Sequence, residues 1–185
     1  MKKLTKKLMA LVLSLVMVLS FSVSAFAATV VPKTASVTFD ASDYDADLGV
    51  LLNGASTILP PTGTEFTTLF TVPAGAVHQY QDQITVMDMT YKAAENAGVL
   101  ETLLYAWDTS GYDNKPHGCY MTDFFELGTQ TLAYHESSVA GQSYWTGWSW
   151  VLYVNNQKPE YYASNILVND NDNIEWKYEL VTEWW

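Results

Sequence analysis

The order of extended and helical segments predicts an α+β domain, a mixed or antiparallel sheet crossed by one helix. Two segments near the C-terminus alternate large apolar and polar residues at the two-residue period of a strand, Trp148 to Val154 and Ile174 to Leu180. Only one segment, Thr85 to Ala97, combines helical spacing with a start and a stop signal. The chain contains no internal repeat and no low-complexity tract, so a solenoid or an array is excluded.

The elements follow in order. Thr34 to Phe39 has the β-branched, alternating character of a strand. After an acidic stretch, Val50 to Leu52 reads as a short strand entering an Asn53-Gly54 turn. Leu59-Pro60-Pro61-Thr62-Gly63 breaks regular structure, Phe66 to Val72 is extended, and Pro73-Ala74-Gly75 turns the chain again. In the helix, Thr85 and Asp88 form a capping box, with Thr85 accepting from the Asp88 amide and the Asp88 side chain reaching back. Val86, Met89, Ala93 and Ala97 make its apolar stripe, and Gly98 stands where a left-handed cap belongs. Val99 to Trp107 and Cys119 to Phe125 read as strands joined by a polar loop. In the final pair, Trp148, Trp150, Leu152 and Val154 share one face, and Ile174, Trp176, Tyr178 and Leu180 point inward against Glu175, Lys177 and Glu179.

The ends and the charge bound the setting. Lys2, Lys3, Lys6 and Lys7 precede an apolar run from Leu8 to about Phe21, and Ala25-Phe26-Ala27-Ala28 supplies a small-x-small cleavage site. Residues 1–27 therefore read as a secretory signal peptide, and residues 28–185 as one domain of a secreted, extracellular or surface-held protein with no membrane span after cleavage. Loss of the signal removes four of nine basic residues and none of the twenty acidic ones, leaving five lysines and a formal charge of −15. Such a chain lacks the cationic patch that nucleic acid requires, and an anionic bilayer repels it. Cys119 is the only cysteine, so no intramolecular disulfide forms, and its apolar neighbours predict burial.

The C-terminal region carries a pattern: Gly147-Trp148, a strand to Val154-Asn155, then Asp172 and a strand containing Glu175-Trp176-Lys177-Tyr178. It resembles the transcobalamin-like C-terminal domain family, a DUF4430-type domain, best over residues 85–178. Two positions depart from the family pattern: Asn156 and Asn171 stand where glycine is usual, and asparagine is the residue best able to replace glycine in a left-handed turn. The resemblance implies a β-grasp-like sheet and a ligand-binding role, with a corrinoid such as cobalamin as the named ligand.

Six of seven tryptophans fall in the last 41 residues. Alternation assigns Trp148, Trp150, Trp176 and Tyr178 to the core. Tyr144, Trp145, Tyr161, Tyr162, Trp184 and Trp185 are left as candidates for stacking on a small molecule or a glycan, or for seating in a surface protein. Three other motifs reduce to ordinary structure. Asp43-x-Asp45-x-Asp47 has calcium-loop spacing but lacks the turn glycine and the final acid, so no metal site is assigned. Leu59 to Gly63 spells a sortase sequence far from the C-terminus and reads as a turn, while His117 beside Cys119 has no completing ligand. No nucleophile, base or phosphate-loop constellation is present, which predicts a non-catalytic binding domain. A carbohydrate-binding or adhesion module and a surface protein-interaction domain are the alternatives.

Overall fold

The computed structural model describes residues 32–59, 66–74, 76, 79, 80, 82–108 and 118–185. Residues 1–27, which the sequence reads as a signal peptide, and Pro60 to Gly63, His78 and His117 lie outside the described residues.

Strands β1 (Lys33–Asp40) and β2 (Val50–Ile58) form an antiparallel hairpin. β2 runs straight through Asn53 and Gly54, which pair with Thr38 and Val37, so the turn expected there is absent. The reversal lies earlier, in the acidic segment. Tyr44 and Asp45 amides bond Ala41 O, the Leu48 and Gly49 amides bond Asp45 O, and the Asp45 carboxylate accepts from the Asp47 amide. The Asp43 to Asp47 carboxylates thus belong to two successive turns that close the hairpin.

Phe66 to Val72 joins no sheet, and the chain bends at Leu69 and Phe70. Side chains satisfy its backbone instead: Asp88 accepts from the Leu69 amide, Tyr105 hydroxyl accepts from the Thr71 amide, and Trp107 donates to Thr71 O. Helix α1 (Val86–Asn96) has Thr85 as its N-cap with both halves of the capping box, and Gly98 follows it at φ +71. The buried Asp88 carboxylate also receives the Thr68 hydroxyl at 2.9 Å, tying the 66–72 segment to the start of the helix.

The strand expected from Val99 begins later, because Leu100–Thr102 forms a 3₁₀ turn before β3 (Leu103–Asp108). β4 (Gly118–Phe124) pairs with β3 as a small antiparallel sheet and ends where Phe125 turns to φ +53. Three further strands complete the large sheet: β5 (Gln130–His135), β6 (Tyr144–Val154) and β7 (Asp172–Trp184). β5 was not visible in the sequence, and β6 is four residues and β7 six residues longer than their alternation predicts.

The large sheet has the order β2-β1-β7-β6-β5, parallel between β1 and β7 and antiparallel elsewhere. The chain is therefore mostly sheet with one helix, an α+β arrangement with a mixed sheet. Ala35, Val37, Phe39, Ile174, Trp176 and Tyr178 line the face beneath α1 and β4. Trp176 Nε1 donates to Thr90 Oγ1 of the helix at 3.0 Å, and Phe39 stacks on Phe124 at 3.9 Å. Leu180 departs from expectation: it shares that face but is 53% exposed, because β7 runs on past the helical layer. Trp148 and Val154 are only partly buried, and Trp148 is covered by the edge of Tyr44 at 5.1 Å.

Candidate functional site

Glycine and left-handed residues set the shape of the β5–β7 region. A side chain at Gly147 would drive into the Gln130 carbonyl oxygen of β5 and the Trp145 ring, so the Gly-Trp motif leaves room for one strand and one indole. Trp145 lies across that glycine and donates from Nε1 to Thr131 Oγ1 at 2.9 Å. After β6, Asn155 (φ +52) and Asn156 (φ +64) make a two-residue reversal, with Val154 and Gln157 exchanging backbone bonds. Asn171 (φ +66) adopts the same conformation before β7, so asparagine does occupy the left-handed region at both positions where the resembling family has glycine. Asp172 explains its place in the motif: its buried carboxylate accepts from the Asn169 amide at 2.7 Å and from Asn155 Nδ2 at 2.8 Å, locking both turns together.

From that reversal, residues 157–168 form a strap across the molecule. Ser164 Oγ accepts from the Cys119 amide, and residues 166 and 168 bridge to the start of α1 and the chain just before it through Val86 N to Ile166 O and Val168 N to Ile84 O. The strap places Tyr162 directly on Gly118, where any side chain would overlap it, and beside Tyr120 with ring centres 5.7 Å apart. The Tyr162 hydroxyl donates to the Asp108 carboxylate. Burial raises its pKa, and the bonded, negatively charged Asp108 raises it further.

Between this strap, Thr129 just before β5, and β6 lies a cleft of about 460 Å³. Trp145, Tyr161 and Tyr162 line it, so the structure brings together half of the six aromatic residues singled out in the sequence. Tyr161 is 54% exposed, while Tyr162 offers its ring with its hydroxyl already engaged. Tyr120, Val151, Lys158 and Glu183 also line it and were not foreseen. Tyr120 could have been found as the outward residue of the Cys119-Tyr120-Met121 alternation. Lys158 forms no ion pair among the described residues.

The other three candidates lie elsewhere. Tyr144 packs against Trp184 at 4.8 Å and against His135 at 5.6 Å, and Trp185 packs against Tyr134 at 6.0 Å. These pairs occupy the far end of the β5–β6–β7 sheet, where Trp184 is 63% exposed. Of the remaining motif residues, Trp176 and Tyr178 are core, Glu175 faces the opposite side beside Lys177 at 3.6 Å, and Val154 closes β6.

Among the described residues no three His, Cys, Asp or Glu side chains are grouped as a metal ion would require. Cys119 is fully buried; burial raises the thiol pKa and the Asp88 charge adds to the effect, which suppresses thiolate chemistry. No described helix is long and apolar enough to cross a membrane.

Fold and cleft together define a small α+β domain with an aromatic-walled groove at one sheet edge. Residues 133–180 match the family model described as "Domain of unknown function (DUF4430)", from within β5 to within β7, and the chain thus carries a DUF4430-type domain. A search of curated proteins found no match.

Proposed function

We propose that this chain is an exported, non-catalytic ligand-binding domain whose ligand lies in the cleft between β6 and the 157–168 strap. The observation that carries the reading is the convergence of Trp145, Tyr161 and Tyr162, distant in sequence or on different elements, on one concave surface. Its volume of about 460 Å³ falls in the usual range for ligand sites, roughly 300–1,000 Å³. Aromatic faces beside Lys158 and Glu183 suit a ligand with a flat apolar face and polar edges. A β-grasp-like, transcobalamin-like assignment is supported by the central parallel β1–β7 pair with hairpin β1–β2 on one side and the helix across one face. On that assignment a corrinoid is the first ligand to test, and a glycan the alternative. The N-terminal sequence supports export, to the medium or to the cell surface.

The test is a titration of the protein with cobalamin, cobinamide and neutral oligosaccharides, read by tryptophan fluorescence and, for the corrinoids, by the cobalt chromophore. Saturable quenching that Tyr161→Ala weakens at least about tenfold supports the cleft, since one stacked ring is worth about 1–3 kcal/mol in comparable sites. Binding that ignores Tyr161→Ala but is lost on deletion of Trp184 and Trp185 would move the site to the sheet end. That outcome would favour the protein-interaction reading, for which exposed Trp184 is the specific observation.

A further inference from the structure

The floor of the cleft is a strand edge with nothing paired to it. Ser143 and Trp185 exchange both backbone bonds, and Asn155 N donates to Asn173 O, so the odd-numbered residues of β6 bond β7. The even-numbered residues therefore turn their N–H and C=O groups the other way, toward β5. β5 pairs with β6 only as far as Trp148, opposite Gln130. At the other end, Val154 spends its amide and carbonyl on Gln157. Between these limits stand Trp150 and Leu152, and their outward N–H and C=O groups have no hydrogen-bond partner among the described residues. Both residues line the cleft and both are more than nine-tenths buried, where an unbonded backbone group is costly.

We infer that the cleft takes an extended polypeptide segment, added to β6 as a strand in line with β5. This deepens the binding reading above and rests on the same cleft. The fit is one of register: two residues, each offering a donor and an acceptor, recur about 6.8 Å apart along an extended chain, the spacing at which a second backbone presents its complement. The walls suit alternate side chains. One face of the added strand meets the Tyr120–Tyr162 stack, and the other meets Val151 and Trp145 on the opposite side of β6. Lys158 lines the cleft and forms no ion pair among the described residues, which favours a segment with a carboxylate side chain.

The test uses heptapeptides selected on the intact protein from a random displayed library and then synthesised. Each is remade with single N-methyl groups along its backbone, and the amides of Trp150 and Leu152 are followed by hydrogen exchange. Strand addition predicts that N-methylation at alternate positions weakens binding by about tenfold or more while the intervening positions change little, since only every second amide bonds the edge. It also predicts slowed exchange at Trp150 and Leu152. No selectable peptide, or a peptide whose N-methyl scan lacks alternation and leaves both amides unprotected, overturns the inference. In the latter case, affinity that still falls with Tyr161→Ala keeps the cleft as the binding site. Affinity indifferent to that change removes the cleft reading as well.

Discussion

Trp176 and Trp184 stand on the same face of one strand, yet the first is 3% exposed and the second 63%. The difference lies in what covers each half of the β6–β7 pair. Over residues 172–178 the helix and β4 supply a second layer, so Trp176 reaches Thr90, and Tyr178 reaches Gly128 O at 2.6 Å. Over residues 180–184 the described structure provides no second layer: Leu180 is exposed and Trp184 rests against Tyr144 of its own sheet. Strand alternation decides which face a residue takes; burial needs a partner layer, which alternation does not encode.

Truncating each tryptophan in turn separates the two halves most strongly. Trp176→Ala should cost about 3–5 kcal/mol in denaturant unfolding, as for other buried large rings, whereas Trp184→Ala should stay within about 0.5 kcal/mol. Equal losses would mean that the far half is packed as tightly as the near half. At their junction, Gly147→Ala forces a methyl group against the Gln130 carbonyl and should cost about 3 kcal/mol, with the β5–β6 amides losing hydrogen-exchange protection first. Asp172→Ala strands the Asn169 amide and the Asn155 side chain and should cost about 1–3 kcal/mol, read from the shift in urea midpoint. The smallest mutational effect runs the other way: Asn156→Gly should stabilise by up to about 1 kcal/mol, because φ +64 is cheaper for glycine.

Alkaline unfolding adds a test confined to the near half. Burial, with the nearby charges of Tyr44 and Asp123, pushes the Tyr178 pKa up to about 12, from an ordinary value near 10. The folded state thus holds this proton more tightly than the unfolded chain. The resulting stability is fully present below pH 10 and is lost as pH rises from 10 to 12. Tyr178→Phe should flatten that fall, and an unchanged profile would contradict the assignment.

Much of the fold was legible because local signals were strong. The Thr85–Asp88 capping box, the Gly98 cap and the alternation of β6 and β7 all appear as read. Three failures have one cause, that pairing partners decide what local residues cannot. Asn53-Gly54 looks like a turn but is held in the ladder by Thr38 and Val37. Phe66 to Val72 has strand residues but finds side chains instead of a strand. β5 was missed because its solvent-facing Leu132 sits at a bulge, where the register slips between Thr131 and Ala133 and spoils the alternation. The site was half legible: composition pointed to aromatic residues near the C-terminus, but only the strap fold separates Trp145, Tyr161 and Tyr162 from Tyr144, Trp184 and Trp185.

The most direct test of that separation is a two-dimensional spectrum of the tryptophan indole N–H groups, recorded while ligands from the corrinoid, oligosaccharide and peptide panels are added. Whichever ligand binds should shift Trp145 and Trp150, which line the cleft, and leave Trp184 and Trp185 in place. Shifts confined to Trp184 and Trp185 would contradict it and assign binding to the uncovered end of the sheet.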